Sequence, residues 1–381
     1  MKIAHVGVAG PFTENMTYQD NLLSHQNVLD GHQTLYIANE EIFQDGKIIS
    51  VGYQNKLLSD GVRLVRLPYV RVINRFVSEK FRKVHGLYQL LTDFAPDVIL
   101  SHDLGYWSVL DVIRYKKDHP EVKLYADTHA DAYTSGTNWL SLHILHRVFY
   151  RYLIQKALPY VEKYLCISDE CRQFSIENYG VPEELTEFYP LGGVLPTEDV
   201  YQSHRSVRRA ELGVQPDELL LVHAGKLEPQ KKTDALLRAF AAVPELKAKL
   251  AVIGSIPEET KAPLLAQMEA DPRVTYLGWK SGADLQEYLC AADLYCQPGK
   301  VSAIMQNAVC CRCPILLYPH PGYVKDYDYG NMIWVRDEKD IIQAFQKLAA
   351  GETDLAALRQ GSARCARELL DYRALAARLY R

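Results

Sequence analysis

The sequence predicts an α/β fold made of two doubly wound, Rossmann-like units. Three observations carry this reading. The 381 residues amount to about two domains at roughly 150 residues each. Hydrophobic residues make up 48% and charged residues 24%, enough apolar side chain for more than one core. Short apolar runs alternate with amphipathic stretches, once before and once after a Pro- and Gly-rich segment at 190–198.

The elements follow in order. Residues 2–8 read as a buried strand, broken by Gly10-Pro11, and 18–29 have helical spacing ended by Gly31-His32. Further strands are expected at 33–38, 62–67, 98–101, 123–126 and 163–167, with helices at 81–91, 106–116 and 140–158 between them. The segment 190–198 reads as a linker. The alternation then restarts with strands at 219–224, 250–254, 274–277, 294–297 and 315–318. Helices are expected at 232–242, 258–269, 282–291, 302–311, 340–349 and 356–370. The division expected is a first domain at 1–194, a second at 195–362, and a C-terminal helix at 363–381 that crosses back to the first. In such sheets ligands bind beyond the carboxyl ends of the strands, so the loops 9–13, 101–104, 127–131, 225–231 and 298–302 are expected to face one cleft.

Composition narrows the classes of function. A formal net charge of −4 excludes a strongly basic, duplex-coating protein. Eight cysteines in so long a chain are no disulfide framework, and unpaired cysteines suggest a reducing compartment, the cytosol. The Cys310-Cys311-x-Cys313 run has metal-like spacing, but it lies in an apolar run and reads as core. The opening residues are interrupted too soon for a signal peptide, and no apolar run reaches the roughly 18 residues of a spanning helix. Tyrosine outnumbers phenylalanine 25 to 10, so many aromatic rings carry a polar tip.

Five constellations could carry chemistry. Gly225-Lys226-Leu-Glu-Pro-Gln-Lys231-Lys232 follows a strand and precedes a helix, where cations and free N–H groups suit a diphosphate; a solvated Lys-rich turn is the other reading. Gln297-Pro298-Gly-Lys-Val-Ser302 leads into a helix with Ser302 as its expected cap, and Gln306 and Asn307 could bond sugar or ribose hydroxyls, unless they are merely core amides. Asp127-Thr-His129-Ala-Asp131 sets a histidine between carboxylates after a buried strand, a pattern open to phosphate or sugar contact, a tuned base, or a metal; His102-Asp103 is a weaker instance. Gly10 ends the first strand, where a ligand can approach backbone closely, and Tyr18-Gln19-Asp20-Asn21 follow; neither GxGxxG nor GxxxxGK[ST] is present. Last, the basic apolar stretch Arg63 to His85, with Arg66, Arg71, Arg75, Lys80, Arg82 and Lys83 opposed only by Glu79, suits anionic lipid or an anionic acceptor; Arg147, Tyr150, Arg151 and Lys156 form a second such group.

Taken in order, these segments resemble the retaining glycosyltransferases of family 4, which have the GT-B fold. Gly225-Lys226-Leu-Glu-Pro-Gln-Lys231 is similar to that family's Gly-Arg-Leu-x-x-x-Lys stretch, Leu277-Gly-Trp279 to the start of its base-binding region, and Asn307-Ala-Val-Cys-Cys-Arg-Cys-Pro314 to its Glu-Ala-x-Ala-x-Gly-x-Pro segment. His129 matches the family's donor-contacting histidine. The Gly-Pro-Phe-Thr opening and the Ser-Ala-x-x-Gln helix also resemble bacterial polysaccharide-cluster members. One departure stands out. The family's pair of donor-loop glutamates falls, anchored on Pro314, at Gly299 and Asn307, and neither is acidic.

The resemblance implies a retaining, metal-independent glycosyltransferase of surface polysaccharide synthesis. It would take a UDP- or GDP-sugar as co-substrate, without any other cofactor, and a carbohydrate or lipid-linked acceptor. Donor binding would fall to Gly225, Lys226, Lys231, Ser302, Gln306 and Asn307, and acceptor binding to Gly10, Tyr18, Asp127 and Asp131. His129, Lys226 and Lys231 would stand nearest the reaction. The expected place is the cytoplasm, with peripheral contact on the membrane's inner face through Arg63–His85. The competing readings are an epimerase of the same fold, using Asp127 and Asp131 as acid and base, and a nucleotide-binding module without turnover. A phosphorylase would need a longer chain and a pyridoxal-phosphate lysine.

Overall fold

The computed structural model describes residues 1–16, 18–44, 47–71, 78, 80–131, 135, 138–300, 302–320 and 326–380. Arg75 and Glu79 lie outside them, as does Val301 of the 298–302 loop. The chain divides into two units, Met1–Pro190 with Tyr372–Arg381, and Leu191–Asp371.

The first unit is built on an eight-stranded sheet. Its strands are β1 (Lys2–Gly7), β2 (Gln33–Asn39), β5 (Gln54–Leu57), β6 (Arg63–Leu67), β7 (Val98–His102), β8 (Lys123–Thr128), β9 (Lys163–Cys166) and β10 (Thr186–Phe188), in the order β10-β9-β8-β7-β1-β2-β6-β5. Only the edge pair β5–β6 is antiparallel. Strands β3 (Glu41–Gln44) and β4 (Lys47–Ser50) form a separate hairpin. The interior strands are buried on both faces, which is why they read as near-continuous apolar runs. Along β1, Ala4 and Val6 face one core with Val109, Val112, Leu153 and Ile154. Ile3 faces the other, with Leu23, Tyr372 and Leu375. Gly7 sits where no side chain fits: a Cβ there would lie 2.1 Å from the Tyr36 hydroxyl oxygen.

The second unit carries six parallel strands: β11 (Leu219–Ala224), β12 (Ala248–Ile253), β13 (Val274–Tyr276), β14 (Leu294–Gln297), β15 (Ile315–Leu317) and β16 (Met332–Trp334), in the order β13-β12-β11-β14-β15-β16. Leu221, Leu250, Val252, Phe240 and Phe345 anchor its core. All eight cysteines are free and buried, and among the described residues no group of three or more His, Cys, Asp or Glu side chains is arranged to hold a metal ion. No helix among the described residues is long and apolar enough to cross a membrane.

Three expectations need correction. The helix expected at 81–91 begins only at Leu87, because Arg82 (φ 51°) and Gly86 (φ 77°) are left-handed. The C-terminal helix expected at 363–381 is broken at Asp371, whose extended backbone (ψ 125°) separates Ala366–Leu370 from Tyr372–Ala377. Arg63–His85 is not one basic face. Arg66 is fully buried, donating to the Phe12, Asn39 and Glu41 carbonyls and to Gln54 Oε1, so it braces the loop after β1. Arg82 is turned toward Asp103 at 3.4 Å and the Gly105 carbonyl at 3.3 Å.

Candidate functional site

In the second unit, β11 ends at Gly225, whose φ of 133° only glycine adopts readily. The chain approaches the neighbouring turn so closely that a Cβ at Gly254 would lie 1.7 Å from the Gly225 carbonyl oxygen. A short 3₁₀ turn, Pro229–Lys231, follows, then Lys232 at φ 55°, then the helix Thr233–Ala241. His223 fixes the start of that helix. One ring nitrogen lies 2.8 Å from Thr233 Oγ1 and the other 2.7 Å from the Cys296 carbonyl. Burial first, opposed by its bond to Cys296, lowers the His223 pKa to about 4, so the ring is neutral.

The two lysines of this loop differ sharply. Lys226 points outward, its side chain 68% exposed, and its ammonium pairs with Glu228 at 2.8 Å. Lys231 is 6% exposed, and its Nζ has no hydrogen-bond partner among the described residues. Burial, then the nearby Lys300, pushes its pKa down to about 8. A Cβ built at Gly225 would lie 3.5 Å from Lys231 Cε and 3.6 Å from Ile304 Cδ1, so the ammonium stem runs past the strand end toward the following helix.

The 298–302 loop is tied to the same turn. The Lys300 amide donates to the Gln230 carbonyl at 2.8 Å, and Gln297 Nε2 donates to the Lys300 carbonyl at 3.2 Å. Gly299 is pressed against that turn. A Cβ there would stand 2.2 Å from the Gln230 oxygen and 2.7 Å from the Lys231 carbonyl carbon. Backbone thus fills the space a side chain would need at this position. Ser302 does not cap the next helix: Ile304–Cys310 starts after Ala303 without a side-chain cap, and the Ser302 hydroxyl is 3.5 Å from Gln297 Oε1. Gln306 is buried and donates to the Tyr327 hydroxyl at 2.8 Å, whereas Asn307 is exposed. Gly225, Lys231, Gly299 and Ile304 are therefore brought together, while Lys226 and Gln306 are turned away from them into other contacts.

In the first unit the residues expected from the motifs meet a larger polar array. Asp127 is fully buried, its Oδ2 2.7 Å from His102 Nδ1 and its Oδ1 accepting from the Asp103 amide at 3.3 Å. Burial would lower the His102 pKa, but Asp127 and Asp20 outweigh it and push it up to about 9, so the ring is an imidazolium. Its Nε2 then donates to His5 Nδ1 at 3.1 Å. His5, held near pKa 4 by burial and by the His102 charge, stays neutral and donates from Nε2 to Asn27 Oδ1 at 2.7 Å. Asn27 donates to the Tyr380 hydroxyl at 2.6 Å, and Tyr380 to Asp30 at 2.9 Å. A second branch reaches solvent: Asp20, its side chain 31% exposed, accepts from Tyr36 at 2.8 Å and lies 3.5 Å from His102. Around this array His129 and Gly10 are exposed, Tyr18 is 58% exposed, and Asp131 is half-buried. Asp20 belongs to the 18–21 segment that the sequence singles out, whereas His5, Asn27 and Tyr36 lie in none of its constellations. The available signal was a histidine in the middle of an otherwise apolar strand.

With this geometry in view, the similarities to known proteins take on a location. Residues 205–364, which hold Gly225, Lys231 and the 298–302 loop, match the family described as Glycosyl transferases group 1. A D-inositol 3-phosphate glycosyltransferase of Saccharomonospora viridis is 28% identical over 176 residues, 42% of this chain and 41% of that protein. Its counterpart in Stackebrandtia nassauensis is 30% identical over 173 residues, 40% of this chain and 39% of that one. The chain thus aligns with about two fifths of the length of these curated relatives. Among solved structures, Anabaena HepE in complex with UDP has a TM-score of 0.65 at 14% identity, covering 100% of this chain and 98% of that one. WaaG, a glycosyltransferase involved in lipopolysaccharide biosynthesis, has a TM-score of 0.59 at 15% identity, covering 99% and 98%. The fold is therefore that of the two-domain GT-B glycosyltransferases.

Proposed function

We propose that this chain is a glycosyltransferase that takes its sugar from a nucleoside-diphosphate sugar. One observation carries the reading: a buried lysine without a partner among the described residues, Lys231, at the carboxyl end of the central strand of a doubly wound unit. An unpaired ammonium in the interior is costly, and a diphosphate would remove that cost while gaining charge-assisted hydrogen bonds. Lys231 would stabilise the negative charge that grows on the leaving diphosphate, with Gly225 allowing close approach and Asn307 and Ser302 offering polar contacts. Lys226 would join only by leaving Glu228. HepE has been solved with UDP and with UDP-glucose, which makes a uridine nucleotide the first donor to test. In the first unit, Asp20 would accept a hydrogen bond from an acceptor hydroxyl, oriented by Tyr36 and His102, with Gly10, Tyr18, Asp131 and His129 around it.

The reading extends to retention of configuration without a metal, and to surface polysaccharide synthesis on a carbohydrate or lipid-linked acceptor. An epimerase using Asp127 as acid or base is disfavoured, because that carboxylate is buried and committed to His102. A second reading, nucleotide binding without turnover, is favoured by Gly299, where backbone fills the space of a donor-loop side chain.

Incubation with UDP-, GDP- and ADP-sugars separates the readings. The proposal expects nucleotide-dependent thermal stabilisation and slow release of free sugar from one donor. Stabilisation with no turnover, even with a panel of acceptors, supports the second reading. A C2-epimerised product supports the epimerase, and the absence of any stabilisation overturns all three.

A further inference from the structure

Residues 132–161 contain no aspartate or glutamate. Within this stretch, a wide π-helical segment, Ser141–Tyr150, runs directly into the α-helix Arg151–Ala157. The inner face packs into the unit through Leu153, Ile154, Ala157 and Tyr150. The outer face is apolar where solvent should favour polar groups. Trp139 is 68% exposed, Leu140 64%, Ile144 50%, Val148 61% and Tyr152 54%. From Leu140 on, these recur every fourth residue, so they form one row along the axis.

Cations flank the row. Arg147 and Arg151 lie beside it, and Lys156 ends it, its ammonium 5.7 Å from the Tyr152 ring. None of the three is paired with a carboxylate among the described residues; Arg147 and Arg151 bond only Asn178 and His143. Lys156 also lines a groove of 520 Å³ together with Arg114, Lys117 and one carboxylate, Asp118. A protein partner of ordinary composition would call for mixed charge around such a row. An apolar strip with a tryptophan at one end, a tyrosine near the other, and cations but no carboxylates on its own segment matches the layered chemistry of a membrane interface.

We propose that the row from Trp139 to Tyr152 lies in the surface of an anionic lipid bilayer, with Arg147, Arg151 and Lys156 at the level of the headgroups. The chain would rest on the membrane without spanning it. The surface differs from the Arg63–His85 stretch, whose Arg66 and Arg82 are internal. It is also independent of the transferase reading, because its test measures vesicle binding rather than turnover.

The test is co-sedimentation of the full chain with vesicles of phosphatidylcholine alone and of phosphatidylcholine with phosphatidylglycerol. Binding is expected to the second and to weaken with added salt. The double substitution Ile144→Asp with Val148→Asp should reduce partitioning by about tenfold or more, since each apolar group withdrawn from the interface weakens insertion. Melting temperature and nucleotide binding should hold. Fluorescence of Trp139, isolated by comparison with Trp139→Phe, should shift to the blue on vesicle addition, which reads the same contact without a charge change. Equal binding to both vesicles, binding to neither, or an unaffected double variant each overturns the proposal. So does a lipid-free dimer that the double variant dissociates, because the row would then belong to a second copy of the chain.

Discussion

Each unit holds a buried charge close to the carboxyl ends of its central strands, but the two are treated in opposite ways. In the first unit the His102 imidazolium sits between Asp127 and Asp20, and a chain of donors runs on through His5, Asn27 and Tyr380 to Asp30. In the second, the Lys231 ammonium is equally buried and meets no partner among the described residues. A charge satisfied by its own protein is part of the scaffold; a buried charge left open marks the place of something the protein binds. On the function proposed above, the difference would give the first cluster a positioning role and the second the capture of the ligand.

The largest effect should come from breaking the satisfied cluster. Asp127→Ala leaves a buried imidazolium whose remaining carboxylate is 3.5 Å away, and should destabilise the first unit by about 3–5 kcal/mol. Amide exchange along β1, β7 and β8 would report it. Protection unchanged there would mean that the His102–Asp127 pair is structurally idle.

The open cluster should respond with the opposite pattern. Lys231→Met keeps the aliphatic stem and removes an unpaired ammonium, so the second unit should be as stable as before or more so. Nucleotide diphosphate affinity should fall by about 1.5–3 kcal/mol, roughly 10- to 150-fold. Lys226→Ala, which removes an exposed and already paired cation, should cost less affinity than that. Calorimetry on the three proteins decides it: equal losses at Lys226 and Lys231 would erase the distinction between them.

That distinction could not be read from the sequence. Both lysines lie in one turn, five residues apart, and their side chains are alike. What separates them is the 3₁₀ turn Pro229–Lys231 and the left-handed Lys232, which set Lys231 inside and leave Lys226 beside Glu228. The principal strands were legible for the contrary reason, since burial on both faces forces β1, β7 and β11 into apolar runs. The exposed strands β3, β4 and β5 carry no such run and were missed. His5, Asp20, Asn27 and Tyr36 come together from two strands and one helix, with no common spacing to announce them. The fold-level expectation was carried by repeated apolar runs, whereas the first unit's polar array depends on single side chains meeting across long separations.

The pH dependence is the sharpest test of the contrast, because the two clusters should tilt stability in opposite directions. The folded His102 pKa of about 9 lies above its ordinary 6.5, so its contribution is complete below 6.5 and is lost as pH rises through 9. The folded Lys231 pKa of about 8 lies below its ordinary 10.5, so the unfolded chain binds the extra proton between these values, and stability rises from pH 8 to 10.5. The first unit should therefore weaken between pH 6.5 and 9, while the second strengthens between pH 8 and 10.5. A whole-chain melting curve would blur the two, so amide exchange must be read separately in β7–β8 and in β11–β14. His102→Gln should flatten the first slope alone and Lys231→Met the second alone. A saturating nucleoside diphosphate should also suppress the second slope, since an anion beside Lys231 restores the higher pKa, and proton uptake should accompany binding near pH 8.5. If the second slope persists with nucleotide bound, the buried ammonium is not where the diphosphate sits.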